Sequence, residues 1–506
     1  MTETADTETT ATSRPSAAAK ILDAVALVTE DYLFDGSDTY IVVKNGTGGV
    51  RTINVGKAEF ARWASRAVRE SDRSLVTSEG VKTARLAIES HAEALGRRPA
   101  PTIRVAERAD GAILIDLGDE KWRCIEVMPT GWRVIPHPAD GPYFDRPQLM
   151  AALPVPLQRA ERGPDALQAI WKYINVAPET RFLKLVGLLH KWLPQGPYAI
   201  EAFNGPQGST KTSSQKADKA LTDPTRPGPK EKAPTSLRRP AREERTLKSA
   251  ARNAHTLSFD NVSRIDPAMA DAHCAISTGA DFGGFKLYTD SDEDVLNACR
   301  PQTFNGIPDI IRQGDLADRT VIYPMVPPEK RLSETELWTE FVREWPAMLG
   351  ALLDVLSSAL AFRDQAALPE GVDVRMMDFA LFGEAVGLAV KKEPGTFTRA
   401  FHANRVSHAL DIAEGDLLWG PLNAMLDAQP GATFTGTMDE IRKAVSIHAG
   451  ASGSDKFWPK SGQAMSAYVR RMKPAWTAAG ITVDQVETRS NRGQEYTITR
   501  TTPPNE

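Results

Sequence analysis

The β-branched and aromatic run Thr39–Val43 and the Val/Ile/Thr-rich segment Val50–Val55 predict two strands joined near Asn45–Gly49. The period lengthens to that of a one-sided helix in Ala58–Arg69 and again in Ser78–Leu95. Short apolar runs follow at Thr102–Val105, Ala112–Leu117, Trp122–Val127 and Gly131–Ile135, split by Gly and Asp turns as in a meander. Apolar positions at Ile170, Tyr173, Leu183, Val186, Leu189 and Trp192 predict two helices between Pro164 and Leu193. From the short strand Tyr198–Phe203 to about Met325, strands alternate with helices, the pattern of an α/β unit around a parallel sheet. Glu334 to about Asp411 reads as helical, Gly415–Pro430 adds a helix and a turn, and Phe434 to about Thr501 reads as a small last domain. The expected divisions are a polar, disordered start over 1–18, an α+β domain of unassigned role over 19–156 and a helical connector over 157–197. An α/β core over 198–330, a helical region over 331–430 and the small domain over 431–501 complete the chain.

Composition narrows the class. The 506 residues are 41% apolar and 25% charged, values of a globular protein able to bury a large core. Three cysteines, Cys124, Cys274 and Cys299, rule out a disulfide scaffold, and no Cys/His spacing suggests zinc. Reduced thiols in a cytoplasm are the expectation, and the start carries neither a basic nor an apolar leader region. The most apolar stretch, Trp345 to Phe362, carries Asp354 in its middle and reads as a core helix, so no membrane partner is expected.

Net charge of −4 conceals an uneven distribution. Arg226–Arg252 holds nine Lys/Arg against three Asp/Glu, and Gly436–Arg500 holds ten against six. Local charge of this sort decides phosphate contact, although a solvated basic face is the bland alternative. In the first domain Asp116, Asp119 and Glu120 form an acidic run that reads as hairpin turns rather than a site.

The most informative segment runs from Tyr198 through Gly205, Gly208, Ser209 and Thr210 to Lys211 and Thr212. A strand enters a Gly-rich turn that opens a helix on a Lys-Thr pair. Backbone N–H groups there can surround a phosphate, the lysine can reach the outer phosphates, and the threonine hydroxyl can ligate Mg²⁺. The usual pattern places glycine where Thr210 stands, and a plain strand–turn–helix fits the degenerate match equally well when it is taken alone. Downstream, His255–Asp260 reads as a strand ending in a carboxylate, followed by Asn261. Ala298–Gly306 reads as a strand with Asn305 at its exit, and Arg319 immediately precedes another strand. A carboxylate for Mg²⁺, an amide for the attacking water and an arginine for transition-state charge are what phosphoryl transfer requires.

The order of these segments resembles superfamily 3 helicases, and most closely the ATP-binding helicase and primase-helicase proteins of phages and mobile elements. The resemblance covers roughly residues 198–325 well, the C-terminal domain moderately and the first 150 hardly at all. It implies an AAA-like ATPase that uses ATP and Mg²⁺, forms a homo-oligomeric ring, usually a hexamer, and moves along single-stranded DNA. Carried over by position, Lys211 and Thr212 belong to Walker A with Gly205, Gly208, Ser209 and Thr210, and Asp260 is Walker B. Asn305 becomes the sensor residue, Arg319 the arginine finger acting on a neighbouring subunit, and Lys286 a DNA-tracking cation on the pore hairpin. Arg312 and Arg300 are alternatives for the finger, as is a plain ion pair of Arg319 with Asp315 or Asp318. Asn261 stands where many relatives carry a catalytic Glu, which leaves the base unassigned.

In the last domain Thr437 and Glu440 form a capping-box pattern, and Ser461 caps a second helix with Met465, Tyr468, Val469 and Met472 as its buried stripe. Arg470, Arg471 and Lys473 cluster near that helix's end, and Arg489 and Arg492 mark the tip of a following hairpin. Two helices and a basic hairpin follow the plan of a winged helix that places one helix in a duplex groove, while a plain helical cap is the alternative. The basic stretch 226–252 reads as an exposed loop touching DNA or a neighbouring subunit, or equally as a solvated insertion. The expected fold class is therefore multidomain α/β: a central P-loop, AAA-like ATPase core with an α+β N-terminal domain and a winged-helix-like C-terminal domain. The expected function is an ATP-dependent DNA helicase in phage or mobile-element replication. The competing readings are an ATP-binding initiator with a degenerate site and an ATP-gated switch or defence protein.

Overall fold

The structure, a computed structural model, describes residues 15–46, 48–279, 281–282, 296–306, 311, 314–328, 331–372, 374–487 and 493–501. The chain divides into two units, one of residues 1–127 and 133–148, the other of residues 128–132 and 149–506.

The first unit opens on α1 (Ala17–Val28), which starts where the chain had been expected to be disordered; Ser16 caps it by accepting the N–H of Ala19. An antiparallel sheet of β1 (Thr29–Phe34), β2 (Thr39–Asn45) and β3 (Gly49–Asn54) packs on α1, α2 (Ala58–Asp72) and α3 (Ser78–Ala94). Ile21, Ile41, Ile53, Phe60 and Ile88 fill the core between them. The meander follows as β4 (Val105–Glu107), β5 (Ile113–Asp116), β6 (Arg123–Met128) and β7 (Gly131–Pro136). Its acidic run is structural: buried Asp116 is gripped by Arg146 at 2.5 and 2.8 Å, and Asp119 pairs with Arg123 at 2.7 Å.

In the second unit the helical spacing of 164–193 resolves differently from its prediction. Short 3₁₀ turns occupy 164–172, and a single α-helix, α4 (Arg181–His190), follows. Gly163, Pro164 and Pro178 interrupt the backbone and leave room for one helix. Next come β8 (Ile200–Asn204), α5 (Lys211–Thr222), α6 (Glu244–Ala251), β9 (Leu257–Val262), α7 (Pro267–Thr278) and the two-residue pair β10 (Asp281–Phe282) and β11 (Leu296–Asn297). β12 (Gln302–Gly306), α8 (Gly314–Asp318) and β13 (Thr320–Pro324) complete the α/β region. Four strands form a parallel sheet in the order β13-β8-β12-β9.

Alternation along β8 sorts its side chains. Ile200 and Ala202 join Leu247, Phe259, Ile276 and Phe304 in the core facing α6 and α7. On the opposite face Glu201 meets Lys184 of α4, Asp218 of α5 and Lys191, all buried. Lys184 lies 2.9 Å from Glu201 and 2.6 Å from Asp218; Lys191 pairs with both carboxylates, and the Tyr323 hydroxyl donates to Glu201 at 2.8 Å. Burial works to raise the Asp218 carboxyl, but the two lysines hold it below its usual range. Two cations and two anions, each contacting both opposites, repay one another's desolvation in a place where an unpaired charge would cost several kcal/mol.

The basic stretch is not a floppy insertion: its backbone is tied down while Arg239, Arg242 and Arg245 stay exposed. Met150 bridges Thr225, and Arg238 pairs with the outer edge of β9, its N–H bonded to Ser258 O at 2.8 Å and its carbonyl accepting from Asp260 N at 2.8 Å. Leu247 and Ala251 of α6 are buried in the core. This one bridge pairs the Ser258 carbonyl and the Asp260 N–H on the outer edge of β9.

Helices α9 (Glu334–Ala361), α10 (Met377–Ala389) and α11 (Thr396–Glu414) follow. The last region contains α12 (Trp419–Asp427), β14 (Thr433–Thr437), α13 (Met438–Ile447), α14 (Gly462–Ala478), β15 (Ile481–Gln485) and β16 (Glu495–Arg500), with an antiparallel sheet ordered β14-β16-β15. The Thr437–Glu440 capping box and the Ser461 cap both form. Among the described residues no helix is long and apolar enough to cross a membrane.

Candidate active site

The turn between β8 and α5 has the shape its glycines demand. A Cβ on Gly205 would stand 2.8 Å from Ser209 Oγ and 2.9 Å from Met325 Cβ, so only glycine fits. Gly208 has φ +84° and Thr210 has φ +61°, both left-handed. Thr210 thus adopts the conformation that glycine supplies in the usual pattern, at a cost of about 1–2 kcal/mol. Its hydroxyl offsets part of that by donating to Ser209 O at 2.7 Å and accepting from Asn175 Nδ2 at 2.9 Å. The loop therefore keeps its course without the missing glycine.

Lys211 opens α5, and its ammonium donates to the carbonyls of Gly205 and Pro206 at 2.6 and 2.7 Å, spanning the mouth of the turn. Partial burial lowers its pKa. The first amides of α5 have no carbonyl to bond within the helix and carry the positive end of its dipole.

Opposite the loop, β9 carries one extra residue against β12: Phe304 faces Phe259, but Gly306 faces Val262. The bulge falls on Asp260 and Asn261, and Asn261 takes φ +56° to make it. Bulges re-aim side chains at the rims of sheets. Here the bulge turns Asp260 toward α5, where Oδ1 accepts from Thr212 Oγ1 at 2.9 Å. Asn305 locks the arrangement. Its Nδ2 donates to Asp260 Oδ1 at 2.7 Å and to Gln215 Oε1 at 2.6 Å, and its Oδ1 accepts the Asn261 N–H at 2.7 Å. Gln215 in turn donates to Thr303 O at 3.0 Å and to Phe259 O at 3.2 Å, tying α5 to both strands.

Lys211, Thr212, Asp260, Asn261 and Asn305 are thus brought together at the carboxyl ends of β8, β9 and β12. Arg319 is not. It precedes β13, at the other end of the sheet, roughly one strand length or about 16 Å away. There it pairs with Asp315, the plain ion pair expected as an alternative, while Arg375 bridges Asp315 and Asp318. Arg300 is tied inward, its guanidinium donating to the carbonyls of Ala251 and Cys299, which withdraws it as a finger. Lys286, Arg312, Arg489 and Arg492 lie outside the described residues.

On α14, Arg470, Arg471 and Lys473 are exposed, opposite the buried Met465, Val469, Met472 and Trp476. Arg471 lies over the Tyr468 ring at 4.7 Å. The sequence reading missed Gln215 and Asn175. Gln215 stands one helical turn after Thr212 and could have been found by that spacing; no signal marks Asn175.

Residues 165–405 match the family model described as Actinomycete integrative conjugative element replication protein, and residues 422–506 match that of the AICE RepA C-terminal domain. No curated protein matches significantly. Among solved structures, the apo A form of the NrS-1 C-terminal region is similar at 10% identity, with a TM-score of 0.41, over 95% of this chain and 100% of that one. A JCV helicase bound to a thiazolopyridine compound is similar at 15% identity, with a TM-score of 0.25, over 49% of this chain and 66% of that one.

Proposed function

We propose that the chain is an ATP-dependent DNA translocase of the superfamily 3 type, acting as a ring in replication of the element. The observation that carries this reading is the meeting of Thr212, Asp260 and Asn305 beside a glycine turn that a Cβ at Gly205 would block.

A triphosphate would take the loop and helix amides, and Lys211 would leave the Gly205 and Pro206 carbonyls for its outer phosphates. Thr212 Oγ1 and Asp260 suit Mg²⁺, an oxygen-seeking ion that keeps several waters and would neutralise developing charge on the phosphates. Asn305 holds the Asp260 carboxylate in place and sits where an attacking water can be oriented. Asn261 contributes a backbone N–H to Asn305 Oδ1 and no carboxylate, so Asp260 is the remaining base at this point. Arg319 cannot reach its own chain's phosphates. It would serve a neighbour's site, released from Asp315, and an arginine supplied that way is worth roughly 10³–10⁵ in rate. The β14–α13–α14–β15–β16 region supports a winged helix that presents α14 to duplex DNA.

The test is steady-state ATP turnover by the full chain with and without single-stranded DNA, followed by unwinding of a forked duplex. Stimulated turnover with strand separation is expected. Saturable nucleotide binding without turnover would select instead the initiator reading, which the missing carboxylate at Asn261 favours.

A further inference from the structure

On the outer side of β9, away from the phosphate loop, the segment 237–242 overhangs a cavity of about 990 Å³ that begins at Asp260 and Asn261. A second cavity, of about 560 Å³, continues past α6 and shares Arg238, Arg239 and Phe259 with the first. Together they make one trough along the sheet edge. Its walls carry Arg238, Arg239, Arg242 and Arg264 in the first part and Arg245 in the second. Three carboxylates also line it: Asp260, held by Thr212 and Asn305; Asp266, which caps α7 by accepting the Met269 N–H; and Glu243. Among the described residues no ion pair joins any of the five arginines to an acid. Elsewhere in this unit arginines find partners readily, as Arg319, Arg375 and Arg405 do.

We propose that this trough is a phosphate-backbone site for single-stranded DNA, separate from the pore-hairpin and winged-helix contacts, and that it connects bound DNA to Asp260. The inference rests on the nucleic-acid reading given above. Two features choose a polyanion over a small anion. A small-anion pocket encloses its ligand, whereas Arg239, Arg242, Arg245 and Arg264 are exposed and spaced along an open edge. Exposed cations in a row gain affinity by releasing counterions from a charged strand, a gain that a single small anion does not provide. The segment is also held in place before any ligand arrives, by the Arg238 pairing on β9 and by prolines 234 and 240, so the cations need little further ordering.

Full-length protein with Arg239→Ala, Arg242→Ala and Arg245→Ala together tests this, alongside a triple lysine version. The readout is fluorescence anisotropy of a labelled single-stranded oligonucleotide across a salt series, with a labelled polyglutamate peptide in parallel. The alanine triple should bind the oligonucleotide about tenfold more weakly at low salt. Its slope of log affinity on log salt should be about 2 smaller, near 0.7 per lost phosphate contact. The lysine triple should stay close to the parent, and the DNA concentration for half-maximal ATPase stimulation should rise about tenfold in the alanine triple at unchanged basal turnover. Unchanged affinity and slope in the alanine triple would overturn the proposal, as would loss of polyglutamate binding with DNA binding intact. A parent that binds no single-stranded DNA would remove the functional reading itself, which is a distinguishable result.

Discussion

The carboxyl ends of β8, β9 and β12 and the exposed face of α14 are both polar, yet they spend their polar groups in opposite ways. Around Asn305 each group answers another: Thr212 and Asn305 converge on Asp260, Gln215 on Asn305 and two backbone carbonyls. On α14, Arg470, Arg471 and Lys473 face solvent, with one 4.7 Å ring contact and one 4.0 Å pair to Asp484 among them. Convergence fixes a point at which chemistry can occur. A row of exposed cations fixes a line that a charged partner can follow. Substitutions should therefore act all-or-none in the first region and incrementally in the second.

The sharpest break is expected from Lys211→Ala. Removing the ammonium that spans the turn should lower ATP turnover by about 10²–10³-fold or more, as loss of one preorganised charge donor does. Phosphate-release kinetics measure it. Turnover at the parental rate would erase the distinction between the two regions.

Acid provides a second contrast. Burial pushes His255, His273 and His408 down to about 4 and His190 down to about 3, well below the unfolded value near 6.5. Between pH 6.5 and 4 the unfolded chain therefore binds more protons than the folded one, and stability falls as pH falls. Each histidine contributes up to about 1.4 kcal/mol per pH unit over that window, several kcal/mol together by pH 5. In the C-terminal region the histidine is His448, which is exposed. Hydrogen exchange on the full chain at pH 7 and pH 5 should show protection lost first around α4, β9 and α7. Loss beginning in α13 and α14 would contradict this.

A third test addresses the ion cluster behind the loop. A Cβ on Gly187 would stand 2.0 Å from Glu201 Oε1 and 2.8 Å from the Tyr323 hydroxyl. Gly187→Ala must therefore displace a carboxylate that two buried lysines depend on, at about 3 kcal/mol or more. Denaturant unfolding reads this directly. A shift below about 1 kcal/mol would mean that the cluster yields easily and is no rigid backing for the turn.

What could be read beforehand follows the same division. The Gly205–Thr212 turn was legible because its chemistry sits on consecutive residues, and the α14 cations because an amphipathic helix sorts them visibly. Asp260 and Asn305 were legible as strand exits, but the bulge that aims Asp260 was not, since an extra residue in a ladder exists only relative to its partner strand. Lys184 and Lys191 stand in an otherwise apolar stretch of sequence, and no local pattern marks them as buried. Only the tertiary fold supplies Glu201 and Asp218 and makes their burial affordable. Arg226–Arg252 read as exposed or solvated because charge was all it showed, while its backbone pairing with β9 depends on an edge that no local pattern reveals.

The smallest effects belong to α14, where the three cations should differ among themselves. Arg470 and Lys473 are one helical turn apart and exposed, and the 4.0 Å Lys473–Asp484 pair is worth well under 1 kcal/mol in solvent. Alanine at either should leave the melting temperature unchanged, weaken duplex DNA binding several-fold at low salt, and reduce the salt slope by about 0.9. Arg471 is built differently. Its guanidinium rests on Tyr468, whose hydroxyl donates to Asp416 at 2.5 Å, so it closes a chain from α14 to the start of α12. Arg471→Ala should therefore cost about 0.5–1 kcal/mol of stability through the lost ring contact, in addition to any loss of DNA affinity. Salt-dependent binding and thermal melting on the three single variants separate these roles. If all three lose stability alike and none changes the salt slope, α14 is a packed cap and not a line of charge.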